Sequence, residues 1–282
     1  MTVDLQFAPV FPRHAIERCA ATVGFVPALP DKAFDRLIAA VTPILQNAGL
    51  IPQATVSIGF MVGPDGKMVP MDGGAPGGGP RVFSLPDQTS ALTITPDGLV
   101  WAISTYVRWQ PFVGGVEKNV LPVLKEFLSD VSIAAVKLEY WDRFLWSGTW
   151  ENFDVGKLLK KGSGFIAQEA ATRPKQWHSH SGWFDNEAGL RRLTNVNVDL
   201  AEVAVDPSLP PRPSVGIYSS LTDQTNVPEY GMIDISALGE SFVVERLEHQ
   251  HLALKDILGH IITDEMATRI GLNPRKPQNA GA

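Results

Sequence analysis

Cysteine is almost absent from this 282-residue chain, where Cys19 stands alone. One thiol closes no internal disulfide and builds no cysteine zinc site. Its neighbourhood, "RCAATVGF", reads as a strand, so a small buried hydrophobe is expected there rather than a nucleophile. Basic runs are missing too, the longest being the pairs Lys160–Lys161 and Arg191–Arg192. With 24 Lys and Arg against 30 Asp and Glu, and a net charge of −6, no phosphate-tracking surface is expected and nucleic acid is excluded as a partner. No stretch approaches the roughly 18 consecutive apolar residues that a membrane span needs. The opening "MTVDLQFAPVFPRHAIERC" has no basic region followed by an apolar run, so no signal peptide is expected. These absences point to a cytoplasmic protein with no membrane contact.

What is present is enough apolar surface for a sizeable core: 44% of residues are hydrophobic and 19% charged, the reverse of a disordered chain. "HAIERCAATVGFVPALP" reads as a strand ending at Pro27 and Pro30. "DKAFDRLIAAVTPILQNAG" sets Phe34, Leu37, Ile38, Val41 and Leu45 at helical spacing, with Asp31 at the N-cap, Gly49 near the end and Pro43 expected to bend the last turn. "ATVSIGFMV" and "MVPM" flank one Asp-Gly turn, and "SALTIT" and "LVWAIST" flank a second at Asp97–Gly98. The loop "DGGAPGGGP" lacks the Lys-Ser/Thr of a phosphate cradle. A helix over about 112–130 and the strand "IAAVKLEYWDRFLW" follow. Further on come "KQWHSHSGWF", its hairpin partner "LRRLTNVNVDL", a proline-rich crossing, "SVGIYSSL" and "YGMIDIS". A helix over about 238–270 closes the pattern, stopped by Gly271 and Pro274.

Strands outnumber helices and short turns join most of them, so an α+β fold with a mostly antiparallel sheet in two packed lobes is expected. The expected boundaries are 1–147 for an N-terminal lobe, 148–175 for a connecting segment and 176–272 for a C-terminal sheet, with a long final helix packed on it. A disordered tail is expected over 273–282. The first lobe, in the order strand, helix, strands, helix, strand, is compatible with a ferredoxin-like arrangement.

Several stretches together carry a family likeness. "HAIERCAATVGFVPALP", "LVWAISTYVRWQPF", "VKLEYWDRF", "GMIDIS" and "LEHQHLALKDILGHIITDEMATRIGL" resemble a sporadically distributed family of bacterial proteins, over roughly His14 to Leu272. The glycine loop and the proline-rich crossing depart from its pattern. The resemblance implies a patchily distributed bacterial protein of the kind carried by mobile or defence-associated gene sets. It brings no catalytic residue to any position of this chain.

His178 and His180 are the nearest thing to chemistry. On a strand, residues two apart share a face and could converge on one metal, which would still need a third protein ligand. Two registers of the following strand are open. One sets Arg192 and Thr194 opposite the histidines, and the other sets Asn195 and Asn197 there, with Asp199 beyond. Trp177 and Trp183 share the other face, so that side is the expected core and the imidazoles point outward. Trp146 and Trp150 flank a Ser-Gly turn where an aromatic could meet a partner or ligand. On the last helix Val243, Leu247, Leu254, Ile257, Leu258 and Ile261 form the apolar stripe, with His249, Asp256 and His260 opposite and His251 at the stripe's edge. Ser147 and Ser163 lack a nucleophile elbow, and Glu139 and Asp142 point to opposite faces of one strand.

No convergent catalytic set emerges. The leading expectation is therefore a non-catalytic protein that acts by contact with another protein, as a regulatory accessory, with no cofactor and no catalytic residue. A metal-dependent hydrolase using His178 and His180 is the alternative, and a small-molecule sensor the third reading. His178, His180, Trp146 and Trp150 are the candidate binding residues.

Overall fold

A computed structural model describes residues 6–53, 58–62, 68–72, 79–173, 175–204, 210–225 and 238–272. Its elements run β1 (Phe7–Pro9), β2 (Ile16–Val26), α1 (Asp31–Asn47), β3 (Ile51–Pro52), β4 (Ile58–Val62) and β5 (Met68–Asp72). Next come β6 (Arg81–Ser84), β7 (Ser90–Thr95), β8 (Gly98–Ile103), α2 (Trp109–Asn119), α3 (Leu121–Phe127) and β9 (Ser132–Trp146). Last are α4 (Gln168–Ala171), β10 (Trp177–Glu187), β11 (Leu190–Val203), β12 (Arg212–Gln224), α5 (Glu240–Ile261) and α6 (Asp264–Arg269). The fold is α+β, and the ladders β10–β11, β11–β12, β3–β6, β4–β5, β6–β7 and β7–β8 are all antiparallel. The expected strand "YGMIDIS", the turn "GPDGK", most of the glycine loop, part of the proline-rich crossing and the tail after Leu272 lie outside the described residues. No described helix is long and apolar enough to cross a membrane.

The chain divides into two compact units. One comprises Met1–Ala20, Val136–Ile233 and Glu245–Ala282, and the other Ala21–Ala135 and Asp234–Val244.

In the Ala21–Ala135 unit the strands neighbour one another in the order β9-β2-β8-β7-β6-β3. α1 forms because Phe34, Leu37, Val41 and Leu45 recur on one face, and all four are buried. Pro30, not Asp31, occupies the N-cap, and Asp31 adds its charge to the first turn, where the helix dipole favours it. Pro43 is accommodated within the helix, which ends where Gly49 takes φ +91° and the Leu50 amide donates to the Leu45 carbonyl over 2.9 Å. The single helix expected over 112–130 is instead two. Pro122 has no N–H for the Lys118 carbonyl, so α2 stops at Asn119 and α3 starts afresh at Leu121. The β7–β8 turn sits on Pro96 and Asp97, one residue earlier than the Asp-Gly signal suggests, and pairs Thr95 with Gly98. Gly98 is there because a Cβ would stand 2.8 Å from the Val23 carbonyl oxygen of the adjoining strand. Gly98→Ala is expected to cost about 1–3 kcal/mol and to lower the midpoint of thermal unfolding, since rigid backbone cannot give way as a side chain would.

In the other unit the order is β10-β11-β12-β9-β2, with β1 paired to β9. Its core gathers Phe144 and Trp146 of β9, Val196, Val198 and Leu200 of β11, Val215 and Ile217 of β12, and Leu258, Ile261, Met266 and Ala267 of the last two helices. The helix expected over 238–270 is broken after Ile261. Residues 158–160 lie against the chain there: the Lys160 amide donates to the Ile261 carbonyl and the Thr263 amide to the Leu158 carbonyl, around a Leu159–Ile262 bridge. These bonds take backbone groups that a continuous helix would use, and the Thr263 hydroxyl then caps α6 by accepting from the Met266 amide. The stripe of α5 falls as expected: Leu247, Leu254, Leu258 and Ile261 are buried, while His249, Asp256 and His260 are exposed.

Candidate functional site: a polar sheet face

The β10–β11 hairpin closes through two residues, Ala188 and Gly189, with φ of 54° and 79°. Positive φ at both positions is what the tightest hairpin turn with native strand twist requires, and the Asn186 carboxamide oxygen accepts from the Gly189 amide over 3.0 Å. That turn fixes the register. His178 lies opposite Asp199, His180 opposite Asn197 and Gly182 opposite Asn195. Of the two registers open from sequence, the asparagine one holds. Arg192 and Thr194 turn instead to the core side, with Val196, Val198 and Leu200.

β12 extends each row, placing Gly216 beside Asp199, Tyr218 beside Asn197 and Ser220 beside Asn195. Paired residues share a face, so three cross-strand rows form one polar surface: His178–Asp199–Gly216, His180–Asn197–Tyr218 and Gly182–Asn195–Ser220. The two glycines leave space that neighbouring side chains fill. A Cβ on Gly182 would meet Asn195 Oδ1 at 2.9 Å and His180 Nε2 at 3.7 Å, and one on Gly216 would meet Asp199 Oδ1 at 2.4 Å. Either substitution would displace the polar groups that make the surface.

β9 supplies the fourth column. The Tyr218 hydroxyl donates to Glu139 over 2.6 Å, and Lys137 pairs with the same carboxylate. Burial together with the bond to Glu139 raises the Tyr218 phenol above its usual pKa. Burial alone would lower the Lys137 amine, but Glu139 outweighs it and the net shift is upward. The Trp141 ring sits 5.0 Å from that of Tyr218, with the Arg18 guanidinium 4.7 Å over it. Arg143 donates to Glu17 at 2.9 Å and to the Ser214 hydroxyl at 3.1 Å, and approaches Asp199 at 3.8 Å. Most of these groups are half-buried, whereas His178 and His180 are exposed. Asn197 Oδ1, at the centre, accepts no hydrogen bond among the described residues.

The opposite face carries the tryptophans. Trp177 is buried in the core and Trp183 packs against it, with its ring 5.6 Å from Phe165. Ser179 and Ser181 hold the 165–167 segment there, Ser179 Oγ accepting from the Ala167 amide and Ser181 Oγ donating to the Phe165 carbonyl.

Trp146 and Trp150 part company. Trp146, expected beside the Ser-Gly turn as a surface aromatic, is fully buried in an aromatic cluster with Phe7 and Phe153, and its indole donates to Asn152 over 3.0 Å. Trp150 is half-buried, with its indole bonded to Glu202 and the Lys175 ammonium 5.8 Å over its ring. Neither lies in the three rows. Among the described residues, no three His, Cys, Asp or Glu side chains are grouped so as to hold a metal ion. A cleft of about 410 Å³ opens elsewhere in the same unit, between Phe7, Lys157, Met266 and Arg269.

One polar group under α5, Asp223, escaped sequence reasoning because apolar patterning hides a single polar residue at a core position. Asp223 is wholly buried and takes both nitrogens of an Arg192 fork at 2.7 and 2.9 Å, with Arg246 Nε 3.7 Å away and Glu187 3.5 Å from Arg192. Asp142 is also buried, and its Oδ1 has no hydrogen-bond partner among the described residues. Burial, with the Glu17 charge adding to it, raises its carboxyl to about 7. Close by in the same unit, the Tyr140 hydroxyl and His251 Nδ1 share a 2.9 Å hydrogen bond. Cys19 is fully buried with its thiol pushed well up by that burial. Comparison with models of protein families finds no match to this chain, and no curated protein matches it.

Proposed function

We propose that the chain is a non-catalytic binding protein that recognises another protein through the polar face of β9–β12. One observation carries this reading. The face is held in place before any partner arrives, with Glu139, Tyr218, Trp141 and Arg143 braced by neighbours, yet its His178–His180 edge stays exposed. Braced aromatic and arginine groups beside open hydrogen-bonding groups lower the ordering cost of association. A regulatory accessory role, in a bacterial protein of the kind carried by mobile or defence-associated gene sets that the family resemblance implies, is consistent with such a surface. The ferredoxin-like reading of the first lobe draws support from the order β9-β2-β8-β7, with α1 following β2 and the α2–α3 pair following β8. The final helix packed on a sheet is supported by Gln250, whose amide donates to the Val136 carbonyl over 2.9 Å.

A photo-crosslinking amino acid at position 180 tests the reading. The expected result is one adduct of discrete mass in cells, absent when the same group replaces Leu252, an exposed residue of α5. Equal adducts at both positions, or none at either, would overturn it. A stoichiometric metal in tag-free protein, lost in the H178A/H180A variant, would favour the hydrolase instead.

A further inference from the structure

The polar face reaches past its three central rows. Phe184 keeps the alternation of His178, His180 and Gly182, and Arg191 that of Asn195 and Asn197, so both stand on the same side. Phe184 is 52% exposed, and the Arg191 guanidinium lies 5.2 Å over its ring. Arg191 Nε donates to the Gln224 carboxamide oxygen over 2.7 Å, which fixes that stack. Across the sheet, exposed Arg18 makes the matching arrangement with Trp141.

These two stacks differ from the other charges of the face. Its carboxylates are already paired, Glu17 and Asp199 with Arg143, and Glu139 with Lys137. Neither Arg18 nor Arg191 forms an ion pair among the described residues. The chain carries a net charge of −6, yet the surplus on this face is positive. A ring occupies the flat side of a guanidinium and leaves in-plane N–H donors for a carboxylate, and arginine with aromatic support is the usual anchor of a protein interface.

Spacing selects the occupant. Arg18 on β2 and Arg191 on β11 are three strands apart, and Arg191 lies six residues along β11 from Asn197, whose partner Tyr218 stacks with Trp141. Strand geometry separates the two arginines by roughly 25 Å. No small anion spans that distance, which is about the width of an ordinary protein–protein contact. A phosphate backbone would also have to cross the Glu139 carboxylate on β9, between the two strands, whereas a protein can set carboxylates at both ends and neutral groups in the middle. On the recognition role of this face, on which the step rests, we propose that the partner is an acidic protein segment whose carboxylates meet Arg18 and Arg191. Its binding is strongest at low ionic strength.

Fluorescence anisotropy of a labelled poly-L-glutamate long enough to reach both arginines tests this with the full chain, and circular dichroism confirms that each variant folds. The wild type is expected to bind the probe at low ionic strength despite its own charge of −6. Arg18→Glu and Arg191→Glu should each weaken binding about tenfold, and Arg18→Gln and Arg191→Gln should weaken it less. Arg36→Glu, at an exposed position of α1 in the other unit, alters the net charge equally and should leave binding unchanged. No binding of polyglutamate, an equal loss in R36E, or tighter binding of a single-stranded oligodeoxynucleotide overturns the proposal. A crosslinked adduct at position 180 that persists undiminished in R18E and R191E overturns the acidic partner alone and leaves the face a recognition surface. Absence of any adduct there overturns both.

Discussion

Asp223→Ala is expected to be the most damaging single substitution in the chain, lowering stability by about 3–5 kcal/mol. The wild-type carboxylate is fully buried and receives both arms of Arg192, with Arg246 close by. Its removal leaves two guanidinium groups inside the protein, offset in part by Glu187, at 3.5 Å from Arg192, and by the Asp185 charge. A loss of that size is a large share of what holds an ordinary domain folded. Urea unfolding followed by circular dichroism reads it directly. The cost comes from stranded charge, so the triple replacement R192L/D223L/R246L should do far less harm than D223A alone. If the triple variant is the worse of the two, packing rather than charge compensation explains the site.

The second large effect is a pair of opposing pH dependences that partly offset each other in the wild type. Asp142 titrates near 7 in the folded protein against 3.8 for an ordinary carboxyl, chiefly because burial penalises its charge. The folded state therefore holds this proton more tightly than the unfolded chain does. Its contribution is fully present below about pH 4 and is lost as pH rises to about 7. By the usual conversion of pKa into free energy the loss approaches about 4 kcal/mol. His251 runs the other way. Burial, aided by Lys255, lowers it from 6.5 to about 4, so its contribution is present above pH 6.5 and is lost as pH falls towards 4. Partial solvent contact makes that slope the shallower of the two. Asp142→Asn should thus be more stable than wild type at about pH 8 and should gain stability as pH rises from about 4 to about 6.5. His251→Gln should lose stability over the same range. Urea midpoints across that range decide the matter, and an Asn variant no more stable than wild type at about pH 8 would refute the assignment.

Regular patterning carried the reading of the secondary structure, and its failures have local causes. α1 and β7 were legible nearly to the residue, because spacing of 3.6 and of two leaves little choice over that length. The broken helices were not. Pro122 interrupts an apolar periodicity that continues on both sides, and the break at Ile262 is imposed by residues 158–160, about a hundred positions earlier in the chain. The candidate site was legible in one respect: with Trp177 and Trp183 on one side, His178 and His180 had to point away. The register that brings Asn195, Asn197 and Asp199 beside them was not, because Ala-Gly is a weak turn signal and the positive φ at Ala188 shows only in the folded chain. Arg143, Trp141 and Tyr218 join from strands distant in sequence, and no local pattern announces them. Trp146 misled because a Ser-Gly turn suggests exposure, whereas the aromatic cluster that buries it draws on Phe7, far earlier in the chain.

The two-residue turn at Ala188–Gly189 makes the hairpin a counting device. Every cross-strand pair from Trp177–Leu200 to Glu187–Leu190 depends on the number of residues between the strands. Substitutions along either strand can drift one at a time. A single-residue insertion or deletion in the turn would instead exchange the two sides of β11 relative to β10, bringing Val196 and Val198 round to the histidines and the asparagines into the core. Lineages of this protein should therefore vary the turn only among residues that tolerate positive φ, and hardly at all in its length.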